Sequence, residues 1–191
     1  MHVTSVSRKS GIFVLIVALS LLVYTIALSG SLSWSNFGFA QELNSYYAEL
    51  TGDSEVPPVS TEATGNSTFQ FTEGNTELSY VVSVSAIDNV IAAHIHQGDE
   101  TENGPIVLTL YDESDQQQLP EGDIAGVLTA GNATAADLEG PLSGQDLANL
   151  IGVINEGDAY VNVHTTDYPE GEIRGTIVNS SLIGVPSIPP T

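Results

Sequence analysis

The chain has 191 residues, with 24 acids against three bases, four histidines and no cysteine, for a formal net charge of −21. Every acid lies after residue 41, where Arg174 is the lone base, so residues 41–191 carry a net charge of −23. Such a surface excludes nucleic acid and disfavours anionic lipid, both of which need clustered Lys and Arg; the missing cysteines exclude disulfide scaffolds, thiolate metal sites and thiol catalysis.

The elements begin with an address. Met1–Ser10 is a short basic region carrying Arg8 and Lys9, and Gly11–Leu28 is an uncharged apolar run of 18 residues. Two readings follow from that length. Residues 1–40 are a secretory signal cut after Gly38-Phe39-Ala40, or they stay as an N-terminal anchor. In both, Arg8 and Lys9 keep the N-terminus inside and the acidic part is exported, to the cell surface or the extracellular space. Membrane contact is expected only through residues 11–28, and only if the segment is uncut.

After residue 41 the pattern is mainly that of strands. Tyr46–Thr51, Ser67–Phe71, Leu78–Ala86, Ile91–His96, Ile106–Tyr111, Ile124–Thr129, Ala159–His164 and Glu172–Val178 are β-prone runs. Turn residues such as Gly74-Asn75, Asp88-Asn89 and Gly104-Pro105 separate them. This spacing predicts an all-β fold, an antiparallel sandwich or barrel. Ser143–Asn155 departs from it, because Leu147, Leu150, Ile151 and Ile154 repeat at helical spacing and Gly157 supplies a stop. One short amphipathic helix is therefore expected. The domain is read as residues 41–178, with 179–191 a flexible tail.

The chemistry, if any, rests on histidine. In His94-Ile95-His96 two imidazoles share one strand face, about 7 Å apart at Cα. Ile91, Ala93 and Ile95 take the other face. In Ala159–His164, Tyr160, Asn162 and His164 alternate with Val161 and Val163. If the two strands are neighbours, His94, His96 and His164 converge into a copper or zinc arrangement. The alternative is that they are polar residues on a wet face, or that they tie down neighbouring loops.

Other motifs say less. Arg174, the only cation after residue 9, is expected to pair with a carboxylate in two-pronged fashion and to pin a strand or loop. Asp99–Gly104 resembles the start of a calcium loop, but Leu110 occupies the position that requires a bidentate Glu, so the pattern fails. Asn66, Asn132 and Asn179 head glycosylation sequons. No phosphate loop, nucleophile elbow or distinguished carboxylate pair marks a catalytic residue.

Taken in order, several blocks match a known family. They are Ala48–Pro58, Ala93–Gly98, Asn103–Val107, Leu128–Ala130, Ala136–Leu138, Gly140–Leu142, Ala159–Thr165 and Gly171–Gly175. Over Ala48–Ile177 the chain resembles the CHRD domain, a module repeated in chordin and found singly in many microbial exported proteins. The resemblance implies an immunoglobulin-like or superoxide-dismutase-like antiparallel β-sandwich, and it does not imply an activity. The His-x-His strand is also similar to the copper strand of Cu/Zn superoxide dismutases. Superoxide is an anion, however, and a domain of net charge −23 repels it.

The leading expectation is a non-enzymatic, exported module with a binding or envelope role and an unidentified extracellular or envelope partner. The alternative is a copper- or zinc-binding protein using His94, His96 and His164. A dismutase-like redox enzyme comes third.

Overall fold

A computed structural model of the chain describes residues 44–114 and 124–183. The expected signal or anchor and the last eight residues lie outside the described residues. The described part is all-β and antiparallel, with nine strands: β1 (Ser45–Thr51), β2 (Thr64–Phe71), β3 (Leu78–Ile87), β4 (Val90–Gln97), β5 (Ile106–Asp112), β6 (Ile124–Ala133), β7 (Ala159–Thr165), β8 (Ile173–Thr176) and β9 (Val178–Asn179). They form one ladder in the order β5-β4-β7-β8-β1-β2-β3-β6, with β9 on β1.

The ladder folds over at β8, which meets β1 at a single rung, Thr51 opposite Arg174. At the far side its two edges come together again. The Tyr80 hydroxyl of β3 and the Thr129 hydroxyl of β6 both donate to the Leu110 carbonyl of β5, at 3.1 and 3.3 Å. The sheet is thus nearly closed. Its inner faces bury Leu50, Phe69, Leu78, Val82, Ile95, Leu108, Val161, Val163 and Ile173 in one core.

The segment expected as one final strand is two. Thr176 pairs with Tyr160 on β7, whereas Val178 pairs with Tyr47 on β1. Between them the Ile177 amide donates to the Ala159 carbonyl, so the chain changes partner there. Order also runs past residue 178. Asn179 lies opposite Tyr46 and a helical turn follows at Ser180–Ile183, where the expected tail would already have begun.

The helix α1 (Leu147–Glu156) buries Leu147, Leu150, Ile151 and Ile154, the set its spacing marked. Gly157 ends it in the left-handed region, at φ +84, where a side chain would be strained. The helix starts at Leu147, with Asp146 at its N-cap, and not at the expected Ser143, which instead closes a separate turn at Gly140–Leu142.

Candidate metal centre

Strands β4 and β7 are neighbours, and their register sets His94 opposite Asn162, His96 opposite Tyr160 and His164 opposite Ala92. Side chains alternate along a strand. Ala93, Ile95, Val161 and Val163 therefore enter the core, each fully buried, and the histidines leave it together with Tyr160 and Asn162. The His94 and His164 ring centroids are 4.9 Å apart, and each is 5.7 Å from that of His96. One nitrogen from each ring lies within 4.8 Å of the other two.

This outer face is not wet. All seven residues of β7 are buried, and His96 and His164 are only 8% and 7% exposed. The loops after β4 and β7 fold back over them and supply hydrogen-bond partners. His96 Nδ1 lies 2.9 Å from the Gly104 carbonyl, and His164 Nδ1 lies 3.0 Å from the Pro169 carbonyl. A carbonyl only accepts, so each Nδ1 carries the proton and each Nε2 keeps a lone pair. Those two Nε2 atoms, together with His94 Nδ1, are buried and have no hydrogen-bond partner among the described residues.

Burial also keeps the rings neutral. It pushes His94 down to about 4, helped by its two histidine neighbours. It takes His164 to about 4 as well, with His96 adding to the shift and the Pro169 carbonyl opposing it. His96 is lowered by burial and by Arg174, against the pull of the Gly104 carbonyl. At neutral pH the cluster is three uncharged imidazoles, the protonation state that metal ligation requires.

Arg174 is 2% exposed, and its guanidinium carbon sits 3.8 Å from the Tyr160 ring centroid. Its hydrogen bonds reach neutral oxygens: the Asp99 carbonyl at 2.8 Å, and the Glu102 carbonyl and Asn103 Oδ1 at 3.1 Å. Among the described residues its hydrogen bonds go to this loop and not to the expected carboxylate, because the Asp99–Gly104 backbone presents its carbonyls inward. The segment that resembles a calcium loop thus turns two of its carbonyls to a guanidinium.

Glu55, which the sequence reading passed over, is 4% exposed. Burial pushes its carboxyl up to about 7 although Arg174 pulls it down. Its Oε1 and Asn162 Oδ1 are both buried without a partner in the described residues. Gly171, at φ +134, lets the chain pass over them, since a Cβ there would run into the Asn162 amide and the Glu55 carboxyl. An acid beside the prolines in Glu55-Val-Pro-Pro58 was the available signal, together with the polar alternation of Tyr160 and Asn162.

The sequon asparagines are not gathered with the histidines. Asn66 and Asn132 are exposed on β2 and β6. Asn179 is half-buried, and its Oδ1 accepts from the Ser181 amide and hydroxyl at 3.0 and 2.7 Å.

Fold and site together define a nearly closed all-β module with three neutral histidines beneath two loops. A family model described as the CHRD domain matches residues 46–177, and the chain belongs to the CHRD-domain family. No curated protein and no solved structure matches it.

Proposed function

We propose that the domain is a non-enzymatic, exported metal-binding module that holds one copper or zinc ion through His94 Nδ1, His96 Nε2 and His164 Nε2. The observation that carries this reading is the trio of buried, unpartnered ring nitrogens, two of them set by a carbonyl on the opposite nitrogen. Leaving buried polar atoms unmatched is costly. A carbonyl on the far nitrogen is the usual way a protein fixes a histidine ligand.

The fit to a metal is close but needs movement. Metal–nitrogen bonds of about 2.0 Å in tetrahedral geometry set nitrogens about 3.3 Å apart. The present spacing, up to 4.8 Å, must contract as the ion enters. His94 is only half-buried and no hydrogen bond involving its ring is seen among the described residues, so it is the ring free to swing. Three neutral imidazoles without thiolate favour Cu(II), then Zn(II), in the ordinary order of divalent affinities. With three protein ligands a fourth position stays open.

Export rests on the pattern of residues 1–40, and a binding or envelope role fits a soluble acidic module presented outside the membrane. The dismutase reading is weaker, because the charge of the domain repels superoxide.

Calorimetric titration of the protein with Cu(II) and Zn(II) tests the assignment. Saturable 1:1 binding with a Kd of about 1 µM or tighter is expected, and His96→Ala or His164→Ala should remove it. Absence of saturation in the wild type, or binding that survives both substitutions, contradicts it.

A further inference from the structure

We infer that Arg174 is a positioning residue for the histidine site: through Tyr160 and the Asp99–Gly104 loop it holds His96 in the tautomer that leaves Nε2 free. In the ladder β7 lies between β4 and β8. Side chains from the three strands accordingly stack across it as His96, Tyr160 and Arg174. The His96 and Tyr160 rings are nearly parallel, 7° apart in plane and 5.1 Å between centroids. The guanidinium covers the Tyr160 ring at 3.8 Å, a contact of cation–π type that a planar cation makes well.

The same three residues grip one loop. Arg174 Nη2 donates to the Asp99 carbonyl, and Nη1 donates to the Glu102 carbonyl and to Asn103 Oδ1. Asn103 in turn donates its Nδ2 to the Val56 carbonyl at 2.8 Å. One residue further on, the Gly104 amide donates to the Tyr160 hydroxyl at 2.9 Å, and the Gly104 carbonyl accepts from His96 Nδ1. Gly104 must be glycine, since a Cβ would overlap the Gln97 carbonyl. The carbonyl that selects the His96 tautomer is therefore placed by a loop whose anchor is Arg174.

His164 offers an internal reference. Its Nδ1 is bound by the Pro169 carbonyl, in a different loop that takes no hydrogen bond from Arg174. Loss of the clasp should disturb His96 and spare His164.

The inference rests on the proposed metal site for its effect on affinity, but the tautomer is read without metal. Long-range proton–nitrogen correlation spectra of the 15N-labelled, metal-free protein should show both His96 and His164 protonated at Nδ1. Arg174→Lys keeps the charge and loses the planar fork. It should shift His96 to a mixture of tautomers, leave His164 unchanged, and weaken Zn(II) binding by about tenfold or more. Should that variant not fold, Asn103→Ala removes one acceptor of the clasp from an exposed position and should give the same shift, smaller. A His96 that stays wholly Nδ1-protonated in whichever variant folds overturns the inference, as does an Nε2-protonated His96 in the wild type. If the tautomer shifts as expected but the wild type takes up no metal, the positioning role stands and the metal site falls.

Discussion

Two strand pairs of this domain both turn side chains away from the core, and those side chains end differently. On β6, paired with β3, the outward side chains meet water, and Val127 is 61% exposed. On β7, paired with β4, the outward Tyr160, Asn162 and His164 are buried like the core residues between them. The strands themselves do not make this difference. Loops from β4 and β7 fold back over one face and leave the other open. Alternation decides which side chains leave the core, and loop coverage decides whether they then form a surface or a site.

Two glycines sharpen that contrast and carry the largest expected effect on stability. Gly126 on β6 and Gly171 ahead of β8 have nearly equal φ, +128 and +134. A Cβ at Gly126 meets nothing within 4 Å, whereas one at Gly171 strikes Asn162 and Glu55. Gly126→Ala should cost about 1–2 kcal/mol from backbone strain alone, and Gly171→Ala about 3 kcal/mol or more. Urea denaturation measures both, and equal losses would break the comparison.

Next in size is the buried acid. Glu55 is raised from 4.5 to about 7 in the folded state. The folded protein therefore holds this proton more tightly than the unfolded chain does. Its contribution is whole below pH 4.5 and is lost as pH rises through 7. Glu55→Gln should accordingly gain on the wild type between pH 4.5 and 7, by on the order of 3 kcal/mol. A difference between the two proteins that does not change with pH would show that Glu55 is ionised in the fold.

The histidines act in the opposite sense. His94 and His164 fall from 6.5 to about 4 on folding. Their contribution is whole above pH 6.5 and is lost as pH falls toward 4. Acid denaturation should set in across that window, with a shallower slope in His164→Gln. An identical slope would place His164 in water. The smallest effect concerns the whole domain: screening of so acidic a chain should raise its Tm by about a few degrees between low and high salt. A constant Tm would contradict self-repulsion.

Much of this was legible in the sequence. The shared face of His94 and His96, the helix face of Leu147 to Ile154 and the β class follow from local spacing, and local spacing survives folding; that His164 joins them depends on the pairing of β4 with β7. What could not be read was non-local. Nothing near His96 announces that Gly104 will return to it, and nothing near Arg174 shows that its partners are carbonyls of a loop more than 70 residues earlier. Glu55 lies in a turn region of the sequence and becomes buried only because β8 and the chain at Gly171 pass over it.

The central claim is that the covered face of β4 and β7 binds metal. X-ray absorption of the protein loaded with one equivalent of Zn(II) tests it most directly. The geometry predicts a first shell containing three imidazole nitrogens at about 2.0 Å, absent in His96→Ala. A shell of oxygen ligands alone, or a spectrum unchanged by that substitution, would contradict it.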